Sequence, residues 1–333
     1  MNGNLNDKLR RVINIDKLRC ADRRTLARGI TLLESTREDH RQQAEALIQS
    51  VMPYSGNSIR IGLTGVPGVG KSTLIETLGN HVISRGHKIA VLAVDPSSTL
   101  SGGSILGDKT HMPTLATNEK AFIRPTPAGE TSGGVARRTR DAIVLCEAAG
   151  FDVIIVETVG VGQSETLVSE MTDMFILMLL PGGGDQLQGI KRGIVELADL
   201  VIVNKADSEL QSKATLAAAD IQHALGLIKP RYPDWQVSVI TSSALENKNI
   251  AEIWTSINDF RTLLSGDGRI VSRRRQQAKT GLWMETQNLL LSALKNNQEV
   301  RESLSRLQES VANGKIPPTI AARQLVSKFL DGK

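Results

Sequence analysis

The sequence predicts a doubly wound α/β fold, in which a mostly parallel seven-stranded P-loop sheet is flanked by helical N- and C-terminal extensions. Short apolar runs alternate with helical stretches across the middle of the 333-residue chain, and a glycine-rich phosphate loop follows the first run. The runs lack polar alternation, which is typical of parallel strands that helices cover on both faces. The predicted strands are residues 59–64, 89–94, 121–124, 153–156, 175–180, 200–203 and 237–240, of which 121–124 has the weakest pattern.

The chain is expected to have three parts: a helical extension at 1–57, the P-loop domain at 58–264 and a helical arm at 265–333. In the first part apolar residues recur at helical spacing, as at Leu26, Ile30 and Leu33. The last part is also helical, and no predicted strand remains to cover its apolar face. That face either packs back on the domain or, as we favour, pairs with a second copy of the chain.

Composition narrows the classes of function. Lys and Arg number 40 against 35 Asp and Glu, and the resulting net charge of +5 is too small to indicate a nucleic-acid partner. Cys20 and Cys146 lie far apart, so we expect a reducing compartment without a disulfide framework or a zinc site. The longest apolar run, 174–180, is far below the roughly 20 residues that span a bilayer. A cytoplasmic protein without a membrane or nucleic-acid partner is expected.

The phosphate loop has the strongest motif in the chain. Residues 65–72, GVPGVGKS, match G-x-x-x-x-G-K-[ST] and lie between a predicted strand and a predicted helix. Glycines let backbone N–H groups converge on a phosphate at the positive end of that helix. Lys71 is expected to neutralise the β- and γ-phosphate oxygens, and the Ser72 hydroxyl to bind Mg²⁺. The predicted nucleotide contacts here are Gly65, Val66, Pro67, Gly68, Val69, Gly70, Lys71, Ser72 and Thr73.

Two further loops predict guanine as the base. Asn204, Lys205 and Asp207 form N-K-x-D directly after the strand at 200–203. An Asp carboxylate can accept from guanine N1–H and from the exocyclic amine together, whereas adenine has no such donor pair. The Lys stem can lie over the ring, and the Asn can tie this loop to the phosphate loop. A second base loop, with Ser242, Ser243 and Ala244, follows the next strand and supplies a backbone N–H for the guanine carbonyl. GTP and GDP are therefore expected rather than ATP.

Acidic residues at strand ends are the candidates for a magnesium shell. Asp95 follows the strand at 89–94, Asp108 lies in a glycine-rich segment, and Glu157 ends the strand at 153–156. A simple turn is the alternative for Asp95, and a plain surface loop for the Asp108 segment. Lys71, Asp95 and Glu157 are the predicted catalytic residues.

Glycine-rich loops are the candidates for nucleotide-dependent switches. Gly160 can place its N–H on the γ-phosphate, and Gln163 is a weaker candidate for positioning water. The glycine run that begins at Gly182 suggests a hinge and a third switch. Arg137, Arg138 and Arg140 follow a predicted helix start; a solvated helix face is favoured there over phosphate contact or partner docking.

The ordered strings GVPGVGKST, VDPSS, SGGSILGDK, ETVGVGQSE, PGGGDQLQGIK and NKAD resemble the MeaB/ArgK family of P-loop GTPases, within the SIMIBI class. The resemblance implies a homodimeric chaperone of adenosylcobalamin-dependent methylmalonyl-CoA mutase, joined through its C-terminal helical arm. Such a protein gates delivery of the cobalamin cofactor, protects or reactivates the mutase, and hydrolyses GTP slowly until the partner stimulates it.

By the same resemblance, Asp95, Asp108 and Glu157 belong to the Mg²⁺ and water shell, and residues 182–191 form the third switch. His111 departs from the family, since an Arg is expected there.

Three other classes of function are the alternatives. A metal-insertion GTPase needs clustered thiolates or imidazoles, whereas this chain has two isolated cysteines and five scattered histidines. An ATPase or kinase linked to arginine/ornithine transport conflicts with the guanine-type N-K-x-D loop. A ribosome- or RNA-associated GTPase would be expected to carry an RNA-binding module or an aromatic platform, and aromatic residues make up 3% of the chain.

Overall fold

The computed structural model describes residues 13–35, 37–94, 112–126, 132–158, 164–182 and 192–331. The chain divides into two compact units, Met1–Gln277 and Ala278–Lys333. Among the described residues, none of the helices combines the length and the apolar character needed to cross a bilayer.

The first unit is built on the predicted sheet. Its seven strands lie in the order β3-β2-β4-β1-β5-β6-β7, and every neighbouring pair is parallel. The predicted doubly wound α/β class is confirmed. It includes the strand predicted at 121–124, which had the weakest sequence pattern. The strands are β1 (Ile59–Gly65), β2 (Ile89–Val94), β3 (Ala121–Thr126), β4 (Val153–Thr158), β5 (Met174–Leu179), β6 (Leu200–Val203) and β7 (Ser238–Thr241).

Helices connect the strands and cover both faces of the sheet. Those of the first unit are α1 (Ile15–Arg19), α2 (Arg23–Glu34), α3 (Glu38–Val51), α4 (Lys71–Ser84), α5 (Pro113–Thr117), α6 (Ser132–Ala148), α7 (Ser164–Ser169), α8 (Arg192–Val195), α9 (Gln211–Gly226), α10 (Ile250–Gly266) and the start of α11 (Arg269–Asn296). Short 3-10 turns lie at Met52–Tyr54 and Ser208–Leu210.

Two apolar layers follow from the alternation of side chains along the strands. In β6, Leu200 and Ile202 join the cluster formed with α4 and α10. Val201 and Val203 point to the opposite face and join the cluster that contains α9. Because both faces are covered, the strands carry continuous apolar runs, which is the pattern that predicted them.

The N-terminal helices pack on α6, with α2 and α3 both in contact with it. A Cβ placed on Gly29 of α2 would lie in ordinary contact with Leu145 of α6. Asp22 caps α2 by accepting a 2.7 Å hydrogen bond from the Thr25 N–H. Arg23 of α2 donates to the carbonyl oxygens of Ala116 and Asn118 at the end of α5.

A buried ion cluster joins four segments at the amino edge of the sheet. Glu147 of α6 accepts both a bidentate bond from Arg60, at 2.8 Å each, and one from the Ser58 hydroxyl. Arg274 of α11 donates to the buried carboxylate of Asp173 at 2.6 and 2.8 Å, and to the carbonyl oxygens of Gly56 and Ser58.

The charges of this cluster lower the pKa of Glu147. Burial by itself would raise the pKa of its carboxyl. The hydrogen bond and charge of Arg60, with help from Ser58 and Arg274, outweigh burial and hold the pKa below its usual value.

The second unit holds the rest of α11, followed by α12 (Gln298–Ala312) and α13 (Pro318–Asp331). Asn297 caps α12 by accepting from the Val300 N–H at 3.0 Å. The last two helices pack together and bury Val300, Leu307, Ala321 and Phe329.

We predict that Arg274→Met lowers the free energy of unfolding by about 3 kcal/mol, because Asp173 then keeps its buried charge without its guanidinium partner. Arg275→Met is the matched control, since Arg275 is exposed on the same helix. Urea unfolding at neutral pH measures both changes. Equal effects of the two substitutions would contradict a stabilising role for the buried cluster.

Candidate functional site

The phosphate loop lies between β1 and α4, where the motif predicted it. Gly68 and Gly70 have φ values of +76° and +90°, a region that glycine adopts without strain. Gly70 is the N-cap residue of α4 and supplies no side chain to the first helical N–H groups. Those groups and the positive end of the helix dipole can therefore bind an anion.

Close contacts explain why glycine is required in this loop. A Cβ on Gly70 would lie 2.7 Å from Asn204 Nδ2, and one on Gly65 would lie 2.7 Å from the carbonyl oxygen of Met178. Neither position has room for a side chain. The loop thus packs tightly on β5 and on the segment after β6, while its own backbone lines the nucleotide side. This cradle fits a phosphate group.

Lys71 lies at the first residue of α4, and its ammonium is held on the loop. Its Nζ donates to the carbonyl oxygen of Gly65 at 2.9 Å and lies 3.5 Å from that of Val66. A charge at this place can neutralise phosphate oxygens that the loop holds. Ser72 follows directly, so its hydroxyl lies in the first turn of α4.

Of the acidic residues predicted to bind magnesium, Glu157 lies within the described part of the chain. Glu157 is buried near the carboxyl end of β4, in register with Leu63 of β1 and Ala93 of β2. Next to it, the hydroxyls of Thr64 and Thr158 lie 2.9 Å apart and join the ends of β1 and β4. Asp95, Asp108, Gly160, Gln163 and His111 lie outside the described residues, as does the third-switch segment from 183 to 191.

The donor set that is described fits a hard cation. A hydroxyl at Ser72 and a carboxylate at Glu157 are oxygen ligands of the kind that Mg²⁺ prefers. In the described part of the chain, His, Cys, Asp and Glu do not gather in groups of three or more that could hold a metal ion. Cys146 is buried, and burial, with the Glu147 charge second, raises the pKa of its thiol.

The base loops are joined to the phosphate loop through Asn204. Its Nδ2 donates to the carbonyl oxygen of Val69 at 2.8 Å, and its Oδ1 accepts from the Ala244 N–H at 3.2 Å. Asn204 is 2% exposed, so both bonds are shielded from water. One amide therefore connects all three loops that the sequence singled out.

Asp207 is oriented by the second base loop. The Ser243 hydroxyl donates to Asp207 Oδ2 at 2.7 Å, and the same oxygen of Ser243 accepts from the Glu246 N–H at 3.1 Å. The Ser242 hydroxyl donates to the carbonyl oxygen of Lys248 at 3.0 Å and closes the loop. Lys205 is exposed and has a φ of 59°, a region that non-glycine residues rarely adopt.

Other residues that the sequence singled out lie as follows. Arg137, Arg138 and Arg140 are half-buried in the first turns of α6, and Arg137 and Arg140 have interaction partners. The interpretation of a fully solvated face therefore describes them poorly. Gly182 follows β5 with a φ of +91°, and its role as a hinge stays a prediction.

Sequence reasoning missed the residues that connect the motifs. The Thr64–Thr158 pair and Thr77 of α4, whose hydroxyl lies 2.9 Å from the carbonyl oxygen of Ala244, are examples. The sequence does contain a pattern that could have identified the Thr64–Thr158 pair. Each threonine is the one hydroxyl residue of its apolar run and lies at the end of the strand. Thr77 has no such signal, because its partner lies 167 positions away.

Comparison with known protein families gives a match over most of the chain. The family model described as "Methylmalonyl Co-A mutase-associated GTPase MeaB" matches residues 26–299.

Individual proteins are similar along nearly their whole length. The probable GTPase Rv1496 of Mycobacterium tuberculosis is 52% identical over 309 residues, which cover 93% of this chain and 92% of that protein. The mouse (Mus musculus) protein named methylmalonic aciduria type A homolog, mitochondrial, is 43% identical and covers 92% of this chain and 76% of its own length. The crystal structure of a protein named LAO/AO transport system kinase has a TM-score of 0.76, with 39% identity and 99% coverage of both chains.

Proposed function

This chain belongs to the family of methylmalonyl-CoA mutase-associated GTPases, and from that premise we propose that it is a nucleotide-dependent chaperone of the mutase. It is a GTPase and binds guanine nucleotide, as its family does. The single observation that carries the residue assignment is the Asn204 amide, which joins the phosphate loop to both base loops.

The proposed nucleotide contacts follow from that arrangement. The backbone from Gly65 to Gly70 cradles the β-phosphate, with Lys71 against the phosphate oxygens and Ser72 and Thr73 in the first turn of α4. Asp207, oriented by the Ser243 hydroxyl at Oδ2, presents its carboxylate to guanine N1–H and the exocyclic amine. The exposed Lys205 lies over the base. Gly160 and the third switch at 182–191 stay predictions from the sequence.

Magnesium is part of the proposal. Ser72, Glu157, Asp95 and Asp108 would hold it, and it would neutralise charge on the phosphate oxygens when bound. Lys71 stabilises the negative charge that develops on the transferred phosphoryl group. Burial of Glu157 keeps its carboxylate in a low-dielectric environment, where its charge acts strongly. Catalysis by Lys71, Asp95 and Glu157 is in this sense electrostatic.

We predict that Asp207→Asn lowers the affinity for GTP about 100-fold and gains affinity for xanthosine triphosphate. The amide can donate to the second carbonyl of xanthine, whereas it repels the amine of guanine. Competition against a fluorescent guanine nucleotide measures both affinities. Asp220→Asn, an exposed change on α9, is the control. An unchanged preference for GTP in the Asp207 variant would contradict the proposal that Asp207 recognises guanine.

The mutase-directed role goes further than the family name. We propose that the chain binds an adenosylcobalamin-dependent methylmalonyl-CoA mutase, gates loading of its cobalamin, and protects or reactivates it. The cytoplasm is the location expected from the sequence. The family description associates its GTPases with this mutase, which supports the partner. The glycine-rich segments that the sequence predicts as switches would signal the nucleotide state to the partner.

The test of this role is a pull-down of the mutase with the full chain, in GDP and in a non-hydrolysable GTP analogue. We expect the mutase to be recovered in amounts that differ between the two nucleotides. Lys71→Ala is the control, and it should lose the difference because it no longer binds phosphate. Recovery of no mutase in either state, or of a permease or ribosomal subunits instead, would defeat the proposed role.

We further propose that residues 265–333 join two copies of the chain. The second unit exposes Leu282, Trp283, Leu289, Leu290 and Leu291 of α11, with Leu282 at 68% and Trp283 at 69%. Leu282 and Leu289, and likewise Trp283 and Leu290, are seven positions apart and so share one helix face. A second copy offers an equal face, and covering both removes this apolar surface from water.

The dimer is tested by light scattering coupled to size-exclusion chromatography. We expect the wild-type chain to have twice the monomer mass of 36.0 kDa. Trp283→Glu should yield the monomer mass, because the new charge would be buried between the copies. Gln308→Glu, an exposed change on α12 outside this face, should stay dimeric. A wild-type monomer at micromolar concentration would contradict the arm assignment.

A transport-linked kinase is what the name of the similar crystallised protein describes. That name belongs to the other protein. The N-K-x-D loop after β6 favours guanine over adenine here, so we do not extend a transport-linked ATPase or kinase activity to this chain.

A further inference from the structure

The backbone of Ala244 is held on both sides. Its N–H donates to Asn204 Oδ1 at 3.2 Å, and its carbonyl oxygen accepts from the Thr77 hydroxyl at 2.9 Å. Thr77 lies on α4, beyond the first turn that holds Lys71, and belongs to none of the nucleotide motifs. Its hydroxyl also lies 2.9 Å from the carbonyl oxygen of Thr73, the usual acceptor for a helical threonine, so its one proton is shared between an acceptor in the helix and one in the loop.

These contacts form a circuit that starts and ends at the phosphate-loop helix. Val69 accepts from Asn204, Asn204 accepts from Ala244, and Ala244 accepts from Thr77. Val69 comes just before α4 and Thr77 lies within it. Asn204 and Ala244 are buried, at 2% and 5% exposure. The base loop is therefore fixed relative to the phosphate loop from two directions.

The bond from Thr77 sets the direction of the next backbone donor. The peptide unit between Ala244 and Leu245 is planar and trans, so its N–H points opposite to its carbonyl group. With the carbonyl held toward α4, the Leu245 N–H points away from α4. Within the described part of the chain this N–H has no hydrogen-bond partner, whereas the Ala244 N–H is already bonded to Asn204.

We propose that the Leu245 N–H reads the 6-oxo group of guanine, and that Thr77 is the positioning residue that aims it. The inference rests on the proposed guanine site and deepens it, because it moves the carbonyl-reading donor from Ala244 to the next residue. Asp207 lies beside the same loop, held by Ser243 at 2.7 Å. One loop then orients both readers of the base: Thr77 acts on the 6-oxo side and Ser243 acts on the N1 and amine side.

Three nucleotides separate these two contacts. GTP has the 6-oxo group, N1–H and the 2-amine. Inosine triphosphate keeps the 6-oxo group and N1–H but lacks the amine. The triphosphate of 2-aminopurine riboside keeps the amine but lacks both the 6-oxo group and N1–H, so it binds without the 6-oxo contact and with only the amine contact to Asp207. A residue that acts through the 6-oxo contact affects the first two and leaves the third unchanged.

The experiment measures dissociation constants of the three nucleotides for the full chain and for Thr77→Val and Thr77→Ser. Valine keeps the shape of threonine without the hydroxyl, and serine keeps the hydroxyl. We expect Thr77→Val to weaken GTP and inosine triphosphate about three- to tenfold, the effect of one hydrogen bond, and to leave the 2-aminopurine nucleotide unchanged. Thr77→Ser should bind all three like the wild type. Ser243→Ala should instead weaken GTP more than inosine triphosphate.

Each other outcome overturns the proposal. Equal weakening of all three nucleotides by Thr77→Val would make Thr77 a structural residue of α4, and no change in any would remove its role. The proposed guanine site fails in a different way: the wild-type chain would then bind GTP and the 2-aminopurine nucleotide equally. Melting temperatures of the variants verify that each is folded at the assay temperature.

Discussion

The side-chain amide of Asn204 holds the nucleotide site together. It donates to the phosphate loop at Val69 and accepts from the base loop at Ala244, and a Cβ on Gly70 would collide with it. Because an amide has a donor and an acceptor, one residue satisfies two buried backbone groups that would otherwise each cost about 1–3 kcal/mol. The spacing between phosphate and base sites, and with it the fit of a guanine nucleotide, depends on this contact.

Most of the fold and the loops of the site could be predicted, because parallel strands buried on both faces leave long apolar runs. The weak strand is instructive: β3 contains Arg124 and Pro125, which an edge strand tolerates and a central strand does not. The long-range partners could not be predicted. Thr77 and Ala244 are 167 positions apart, and Arg274 and Asp173 are 101 apart. Such pairs follow from tertiary packing, for which a single sequence has no periodic signal.

Two flanking helices each use an arginine to bind the C-terminal end of a short helix in the first unit. Arg23 of α2 donates to the carbonyl oxygens of Ala116 and Asn118 at the end of α5. Arg273 of α11 donates to those of Ser169 and Thr172 at the end of α7. A cation at a helix C-terminus satisfies carbonyl groups that lack partners in the helix and opposes the negative end of its dipole. Both flanking segments therefore stabilise connections at the amino edge of the sheet, just before β3 and β5 begin and opposite the nucleotide loops.

The most direct test is hydrogen–deuterium exchange of the wild-type chain and of Asn204→Ala, compared over residues 65–71 and 242–248. We expect both segments to lose amide protection together, since the one side chain joins them. Asn258→Ala is the control, because Asn258 bonds within its own helix to the Trp254 carbonyl oxygen. Loss of protection in one segment with full protection in the other would contradict the claim that Asn204 couples the phosphate and base sites.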